Sequence, residues 1–425
     1  MRAVVVALGK IGLPLAVQIA GAGHEVVGCD VDQRVIDLVN AGQEPFPGEA
    51  QLADRLAELV PAGRLRAQAD TAAAVAQGPD LVVAVPPLIV DQDARPDWRI
   101  LDAVVADIGR GLKAGTTVSI ETTVPVGTTR SRIAPALEAA SGLASGTDFH
   151  VVFSPERVYS GRIFADLATY PKLVGGLTAD GEARGCELYA AVLDAEVHGM
   201  GSAEAAELAK LAETTYRDIN IAFANELARI SDSAGIDVER VIDAANSQPF
   251  SHIHRPGIAV GGHCIPVYPR FLLSGAPDAA LPATARTVNE AMPAYAVDAL
   301  AELLGGDLTA ARVAILGVAY RGAVKETAFS GAFAARDALV ARGATPLAAD
   351  PLYSDAELTA LGFTPWDGSA IDAVVVQADH PEYRDLTPAD LPGARAVLDG
   401  RGVLDAGAFT AAGVAVRRIG RPPGI

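Results

Sequence analysis

The segment AVVVALGKIG, residues 3–12, decides the fold of this chain of 425 residues. A run of β-branched apolar residues leads into a turn with Gly9 and Gly12, and the helical stretch LPLAVQIAGAG follows at once. This order is typical of a dinucleotide-binding βαβ unit: Gly9 lets a pyrophosphate approach the backbone, and Gly12 lets the helix meet the sheet. Lys10 and Ile11 lie between the two glycines and directly precede the predicted helix. Because a helix N-terminus attracts anions, they are predicted to belong to the phosphate-binding loop. On this motif alone, an ordinary glycine-rich turn without a cofactor remains the alternative.

The next predicted strand, EVVGCDV, supports a cofactor because it ends in an acid. Asp30 follows the glycine turn by about 20 residues, the spacing at which a carboxylate accepts hydrogen bonds from a ribose 2′-hydroxyl. Its charge would repel a 2′-phosphate, so NAD is favoured over NADP. Pro86, at the end of the strand DLVVAVP, is predicted to border the same cofactor. Ala7 stands where the usual pattern has its first glycine, and its methyl group strains the tight turn.

Composition excludes several classes of protein. Asp and Glu outnumber Lys and Arg by 52 to 34, and the resulting net charge of −18 makes nucleic acid an unlikely partner. Hydrophobic residues make up 50% of the chain, yet no apolar run is long enough to cross a bilayer core of about 30 Å. A glycine-punctuated strand explains the apolar N-terminus better than a signal peptide does. We therefore expect a multidomain cytoplasmic enzyme with no membrane association.

The rhythm of strands and helices predicts two related α/β domains joined by helices. Short β-branched runs alternate with alanine-rich helical stretches through the first 150 residues, as in βαβ units around a parallel sheet. Residues 202–235 then read as one long helix, with Ser202 as its cap. The βαβ rhythm restarts at Ala311, where ARVAILGVAY and ATPLAADP loosely echo the opening strands.

The three cysteines are too few and too far apart for a disulfide framework or a CxxC metal site. Cys29 in a strand and Cys186 on a helix are assigned to packing. His252 and His254 form only a close pair, so no metal site is predicted. Cys264 is therefore the one cysteine with a candidate chemical role.

The loop VGGHCIPVYP, residues 260–269, surrounds Cys264 with flexible and rigid residues. Its glycines, including Gly261, allow close approach of a substrate, while Pro266 and Pro269 stiffen the backbone that carries the sulfur. Cys264 is a nucleophile if a nearby cation favours its thiolate, and otherwise a small buried hydrophobe; the local sequence leaves both open. His263 points away from the sulfur in an extended loop, which indicates a structural or substrate-facing role.

Lys210 and Thr214 lie four residues apart on the long helix and so share one face, which Glu207 and Asp218 extend. A solvated lysine is the ordinary alternative. A nearby nucleophile would make Lys210 functional instead.

Two polar clusters follow strands of the first domain. ETTVP begins at residue 121 and contains Thr123, and SPERV contains Glu156, Arg157 and Val158. Both lie at the carboxyl edge of the predicted sheet, where open α/β sheets bind ligands. A site there is favoured over two plain strand-to-turn connections.

Taken together, these segments resemble the nucleotide-sugar 6-dehydrogenases of the UDP-glucose/GDP-mannose dehydrogenase family along the whole chain. The resemblance rests on ETTVPVGTT at 121, FSPERV at 153, PKLVGG at 171, AELAKLAETTYRDINIAFANEL at 206, VGGHCIPV at 260, GVAYRGAVKETAFS at 317, ADP at 349 and LDGRGVLD at 398. The UDP-glucose and GDP-mannose enzymes have GGSC at the cysteine, whereas this chain has GGHC. In this respect it resembles the branch that acts on UDP-N-acetylhexosamines, notably UDP-N-acetylmannosamine.

The resemblance implies two Rossmann-like doubly wound parallel-sheet domains joined by a central all-helical domain with one long helix. The implied parts are an NAD domain at 1–190, a helical domain with the cysteine loop and a homodimer interface at 191–305, and a UDP-sugar domain at 306–425. Its substrate would be a UDP-sugar and its cofactor NAD.

The resemblance also implies a four-electron oxidation of a C6 alcohol to a uronate. Cys264 captures the aldehyde as a thiohemiacetal and then carries the thioester, and Lys210 stabilises the oxyanion. Thr123 orders a water, and Glu156 is the general base for thioester hydrolysis. Thr214 and Tyr268 occupy two further catalytic positions. The implied substrate contacts are Glu156, Arg157, Val158, Lys210, Gly261, His263, Arg321 and Arg401.

Four positions depart from the family pattern. Tyr268 stands for an aspartate and Thr214 for an asparagine, while Phe250 and Ala328 replace arginines. A tyrosine is neutral near pH 7, so Tyr268 does not supply a carboxylate's charge. The alternatives are a UDP-glucose or other NDP-sugar 6-dehydrogenase, a two-electron nucleotide-sugar dehydrogenase and a non-catalytic nucleotide-sugar-binding protein.

Overall fold

The structure is a computed structural model that describes residues 1–91, 93–159 and 161–422. It contains two compact units. The first comprises Met1–Glu213 and Arg270–Ala276, and the second comprises Thr214–Pro269 and Pro277–Ile425. The three-domain boundaries expected from the sequence stay a prediction.

The first unit is built on a mainly parallel sheet. Its strands are β1 (Arg2–Val6), β2 (Glu25–Cys29), β3 (Leu65–Gln68), β4 (Leu81–Ala84), β5 (Ile89–Val90), β6 (Pro96–Asp97), β7 (Thr117–Ile120), β8 (His150–Phe153), β9 (Lys172–Gly176) and β10 (Val197–Gly199). Eight of these described strands form one sheet in the order β10-β9-β8-β7-β4-β1-β2-β3, and β5 and β6 form a separate ribbon. Neighbours within the sheet are parallel except β8 and β9.

Helices of the first unit cover both faces of this sheet, as its fully buried strands require. They are α1 (Gly12–Gly21), α2 (Gln33–Asn40), α3 (Leu52–Leu59), α4 (Thr71–Val75), α5 (Arg99–Gly111), α6 (Ala134–Ser141), α7 (Ile163–Thr169) and α8 (Ala179–Ala190), with a π-helical turn Thr129–Ile133 before α6. The order of strands reverses between β1 and β4. This is the switch point at which open α/β sheets bind ligands.

Four helices follow: α9 (Ala203–Ala234), α10 (Val238–Asn246), α11 (Tyr268–Gly275) and α12 (Ala280–Leu303). The long helix predicted over 202–235 is confirmed, and the backbone amide of Ala205 donates to the hydroxyl of Ser202 as expected of a cap (3.1 Å). None of the helices in the described part of the chain is long and apolar enough to span a membrane.

The second unit contains a five-stranded parallel sheet among its described residues, in the order β12-β11-β13-β14-β15. Its strands are β11 (Arg312–Leu316), β12 (Thr345–Ala349), β13 (Ala373–Val376), β14 (Ala396–Asp399) and β15 (Ala415–Arg417). The accompanying helices are α13 (Gly331–Ala341), α14 (Asp355–Ala360) and α15 (Ala406–Ala411), with short 3₁₀ turns at Pro381–Asp385 and Pro388–Asp390. The predicted fold class, two parallel-sheet α/β regions with helices between them, is confirmed.

Candidate active site

The β1–α1 turn has one glycine that packing requires and one that faces open space. A Cβ atom on Gly12 would lie 2.0 Å from the carbonyl oxygen of Ala7, which a real side chain cannot do. A Cβ atom on Gly9 would meet nothing within 4 Å. The open side of Gly9, followed by exposed Lys10 and half-buried Ile11, leaves room for a phosphate group at the start of α1.

Asp30 is held rigidly at the end of β2. Its Oδ2 accepts a hydrogen bond from the amide of Leu8 (2.7 Å), and its Oδ1 accepts one from the amide of Asp32 (2.9 Å). Because each carboxylate oxygen can accept a second bond and the residue is only half buried, Asp30 can also bind ribose hydroxyls. The glycine turn and this carboxylate therefore fit the phosphate and ribose groups of NAD.

Ala7 has a left-handed backbone (φ 74°), which its methyl group disfavours. Replacing Ala7 with glycine is expected to raise the free energy of unfolding by about 0.5–1 kcal/mol, measured by denaturant titration. The same change at exposed Ala103, inside α5, is the matched control and should cost about 1 kcal/mol. Equal losses at both positions would contradict strain at Ala7.

The second α/β region also has an aspartate at the end of its second strand, but the oxygens of this aspartate are bonded within the protein. Asp350, at the end of β12, accepts bonds from the amides of Val318 (2.7 Å) and Ala319 (2.9 Å) and pairs with His380 Nε2 (3.2 Å). The Asp350 and His380 side chains are fully buried. Asp350 is thus unavailable to a ribose, whereas Asp30 is available, so the first unit is the one that fits NAD.

Thr123 and Pro86 come from the carboxyl ends of two adjacent strands, β7 and β4. The amide of Glu121 donates a hydrogen bond to the carbonyl of Ala84 (3.0 Å), and the Thr122 hydroxyl donates one to the carbonyl of Pro86 (2.6 Å). Thr123 is 6% exposed. Both predicted cofactor-site residues therefore lie beside the switch point.

Glu156 is held by donors on both of its oxygens. Its Oε1 accepts a bond from the amide of Arg157 (2.7 Å), and its Oε2 accepts one from Lys172 Nζ (2.9 Å). Lys172 also pairs with Glu121 Oε1 (3.1 Å), which accepts a bond from the Tyr189 hydroxyl as well. Burial raises the pKa of Glu121 to about 7. Sequence reasoning placed Glu121 in the ETTVP cluster without a role of its own, and it missed Lys172 and Tyr189 as members of the site.

Arg157 and Val158 line a small cavity of about 10 Å³ next to Glu156. The Arg157 guanidinium donates to Glu213 Oε2 (2.7 Å) and to the carbonyl of Pro171 (3.3 Å). These contacts hold the predicted substrate residue Arg157 within the first unit.

On α9, Lys210 is 9% exposed and Thr214 is 5% exposed, so the alternative of a solvated lysine is wrong. Glu207 accepts bonds from the amides of Gly127 (2.5 Å) and Thr129 (2.9 Å), which caps the π-helical turn. Asp218 forms a buried ion pair with Arg286 in the second unit. Glu207 and Asp218 are therefore structural members of the predicted polar face.

The cysteine loop packs against the β11–α13 loop inside the second unit. The amide of Gly262 donates to the carbonyl of Ala328 (2.8 Å), and a Cβ atom on Gly261 would lie 2.6 Å from the side chain of Tyr320. Cys264 is exposed, so the alternative of a buried packing cysteine is wrong for it. Cys29 is buried and Cys186 is half buried, as packing roles require.

The residues after and before the sulfur are also ordered. The carbonyl of Cys264 accepts bonds from the amides of Val267 (3.1 Å) and Tyr268 (2.9 Å), so a turn at residues 265–267 links the cysteine to the start of α11. His263 Nε2 lies 3.4 Å from Glu326 Oε2, with its side chain 65% exposed. His263 therefore faces solvent while its loop stays fixed.

The two predicted arginines of the second unit lie near its sheet edge. Arg401 pairs with Asp379 Oδ1 (3.0 Å), which also accepts a bond from the amide of Gly322 (2.9 Å). The Arg321 side chain is exposed, and its Nε donates to the Tyr320 hydroxyl (3.1 Å). Phe250, one of the departures from the family pattern, is 92% exposed.

The predicted site residues thus fall into two sets. The first unit contains Gly9, Lys10, Ile11, Gly12, Asp30, Pro86, Thr123, Glu156, Arg157, Val158 and Lys210. The second contains Thr214, Gly261, His263, Cys264, Tyr268, Arg321 and Arg401. That Cys264 meets Lys210 and the cofactor stays a prediction.

Comparison with known proteins covers most of the chain. Residues 1–193, 204–292 and 314–406 match, in turn, the NAD binding, central and UDP binding domains of the UDP-glucose/GDP-mannose dehydrogenase family. The chain is 33% identical over 415 residues to the UDP-N-acetyl-D-mannosamine dehydrogenase of Pyrococcus horikoshii, covering 95% of this chain and 96% of that one. It is 33% identical over 423 residues to an NDP-N-acetyl-D-galactosaminuronic acid dehydrogenase of Ralstonia nicotianae, with coverage of 95% and 96%. A solved structure of UDP-D-ManNAc dehydrogenase from Pyrococcus horikoshii superposes with a TM-score of 0.89 at 32% identity, covering 99% of both chains.

Proposed function

This chain belongs to the UDP-glucose/GDP-mannose dehydrogenase family, and from that premise we propose that it oxidises the C6 hydroxyl of a UDP-N-acetylhexosamine to the uronate. Membership makes it an NAD-dependent nucleotide-sugar dehydrogenase with a UDP-sugar substrate. UDP-N-acetylmannosamine is the proposed sugar, because two relatives named for it are 33% and 30% identical to this chain over 95% of its length.

The observation that carries the proposal is the exposed sulfur of Cys264 on an otherwise fixed loop. An aldehyde does not readily release a hydride until a nucleophile converts it to a tetrahedral alkoxide, and a thiolate both adds and later leaves well. Cys264 precedes the turn at residues 265–267 that leads into α11, and its exposure leaves the side chain open to a bound sugar. Cys264 would therefore hold the sugar as a thiohemiacetal and then as a thioester.

Other residues of the chain supply charge, orientation and proton transfer. NAD would be held by the Gly9 turn and Asp30, and it would supply the acceptor for one hydride in each oxidation. Lys210, nearly buried on α9, would stabilise the oxyanion, a contribution of about 3 kcal/mol where water is excluded. Thr123 would order the attacking water, and Glu156 would take its proton during hydrolysis of the thioester.

The proposed substrate contacts in the second unit are Gly261, His263, Arg321 and Arg401, with Thr214 and Tyr268 beside the reaction. Exposed Arg321 offers a cation to the diphosphate, and Arg401 is held at the sheet edge by Asp379. The cytoplasmic location stays a prediction.

The test is a panel assay. Purified protein with NAD should form about two NADH per molecule of UDP-N-acetylmannosamine and release a uronate identified by mass spectrometry. UDP-glucose and GDP-mannose are the comparison substrates. If UDP-glucose alone yields two NADH, the substrate is UDP-glucose and not UDP-N-acetylmannosamine. One NADH without a uronate would indicate a two-electron dehydrogenase. Binding of nucleotide sugar without NADH would indicate a non-catalytic binding protein.

We further propose a homodimer formed through α9. Tyr216, Phe223 and Ile230 recur every seven residues on this helix and are 55%, 51% and 59% exposed. Large apolar side chains in such a stripe pack against another helix when a partner is present. The stripe fits a second copy of this chain.

Replacing Phe223 with glutamate is expected to convert dimer to monomer in light scattering, because it places a charge in the centre of the apolar stripe. Val340→Glu, at a 57% exposed position on α13, is the matched control and should leave the mass unchanged. A monomeric wild-type protein, or a dimeric Phe223→Glu variant, would count against this interface.

A further inference from the structure

A buried cluster of four side chains lies behind the proposed general base. Glu121 at the end of β7, Lys172 at the start of β9 and Tyr189 on α8 converge with Glu156, and we call them the carboxylate–lysine cluster. Glu121, Lys172 and Tyr189 are nearly or fully buried, and the Glu156 side chain is 11% exposed. The cluster lies entirely within the first unit.

Lys172 is fixed from three directions. Its ammonium donates to Glu156 Oε2 (2.9 Å), pairs with Glu121 Oε1 (3.1 Å) and lies 5.0 Å from the centre of the Tyr189 ring. Tyr189 is itself anchored, because its hydroxyl bonds to Glu121 and to Ser119 Oγ (2.7 Å). A lysine held in this way has lost its rotational freedom and defines where the Glu156 carboxylate lies.

Lys172 cannot act on the sugar directly. It is 4% exposed, and the cavity of about 10 Å³ that it borders with Glu156 has room for about one water molecule and none for a hexose. Any effect of Lys172 on the chemistry must therefore pass through Glu156.

The cluster also carries more negative charge than its cation neutralises. Two carboxylates share one ammonium, and Oε2 of Glu121 accepts no hydrogen bond from the residues that the structure describes. Burial raises the pKa of Glu121 to about 7. When Glu156 gains a proton, the excess negative charge is cancelled and Lys172 keeps a charged partner in Glu121.

We propose that Lys172 is a positioning residue for Glu156 in the hydrolytic half of the reaction, while Glu121 and Tyr189 hold Lys172 in place. The inference rests on the proposed function. With one oxygen held by the Arg157 amide and the other by Lys172, the carboxylate keeps one orientation, and each oxygen still has a lone pair for water.

Water attacks the thioester carbon and gives a proton to Glu156, so a C–O bond forms and an O–H bond breaks. The tetrahedral adduct collapses, the C–S bond breaks and its electron pair leaves on the sulfur of Cys264. The products are the uronic acid, the Cys264 thiolate and protonated Glu156, which returns its proton to solvent. Lys172 contributes position and charge, and no bond to it changes.

The test is Lys172→Met in rapid-quench kinetics with UDP-N-acetylmannosamine and NAD. We expect both NADH molecules of the first turnover to form, followed by accumulation of thioester detected as intact protein mass. The steady-state kcat should fall by about tenfold or more, and KM for the sugar should fall with it because the thioester accumulates, so kcat/KM should change by less than about twofold. Lys172→Arg, which keeps the charge, should recover part of the hydrolysis rate.

Loss of Lys172 leaves Glu121 buried without a cation, so Lys172→Met can fail to fold. Glu121→Gln/Lys172→Met removes both buried charges and should fold while showing the same slow hydrolysis. Lys113→Met, at an exposed lysine of the same unit, is the matched control and should behave as wild type. Wild-type hydrolysis rates in the Lys172 variants would overturn the inference alone, whereas a wild-type protein that forms no NADH would overturn the proposed function.

Discussion

Replacing Cys264 with serine is expected to lower uronate formation by on the order of 10³-fold or more, the largest effect of any single change in the chain. A serine hydroxyl stays protonated at neutral pH, and an alkoxide leaves from an ester less readily than a thiolate leaves from a thioester. The second oxidation should therefore stop, and NADH should fall to one per sugar or fewer. NADH absorbance and mass spectrometry of the sugar product measure the two oxidations separately.

Cys186→Ala is the matched control, because Cys186 is half buried in the packing of the first unit. It should keep two NADH per sugar. Cys264→Ser protein that still yields two NADH and a uronate would show that the aldehyde is oxidised without capture by sulfur. The thiohemiacetal mechanism would then be wrong, although the family assignment would stand.

The sequence predicted the parts of the fold that depend on local pattern. The β1–α1 turn follows from a β-branched run, two glycines and an apolar helix, and the structure has it at the expected residues. The long helix follows from apolar residues at helical spacing without an internal glycine or proline. Its large exposed side chains, such as Phe223 and Ile230, show that periodicity does not tell whether an apolar residue packs within the chain or against a partner.

Contacts between distant segments escaped the sequence reasoning. The carboxylate–lysine cluster draws its residues from the ends of three strands and from one helix: Glu121, Glu156 and Lys172 from β7, β8 and β9, and Tyr189 from α8. Only the sheet order β9-β8-β7 brings these residues together. Because β9 pairs antiparallel to β8, Lys172 at the start of β9 lies at the carboxyl end of β8. The βαβ pattern of the sequence does not predict this antiparallel pairing. The segment PKLVGG supported the family resemblance. Its sequence does not, however, predict which residues form ion pairs with Lys172.

Gly12 and Gly9 separate the packing role of a glycine from its cofactor role, and alanine at each should fail in a different way. Gly12→Ala is expected to destabilise the first unit by about 3 kcal/mol or more, since its Cβ atom would lie 2.0 Å from the Ala7 carbonyl oxygen and 3.7 Å from the Val5 side chain. The backbone oxygen cannot rotate away as a flexible side chain could, so α1 must move off β1. Denaturant unfolding followed by circular dichroism measures this loss.

Gly9→Ala is expected to keep the wild-type free energy of unfolding within about 1 kcal/mol, because its Cβ atom would enter space in which no protein atom lies within 4 Å. If the pyrophosphate of NAD occupies that space, the same methyl group should raise the dissociation constant for NAD by about tenfold or more, measured by calorimetry on the folded variant. Unchanged NAD affinity in a stable Gly9→Ala protein would mean that the cofactor phosphates lie elsewhere. A stable Gly12→Ala protein would mean that the helix has room to shift. Because the two glycines are three residues apart in one turn, the contrast between them distinguishes a turn built to bind a phosphate from a turn that is merely tightly packed.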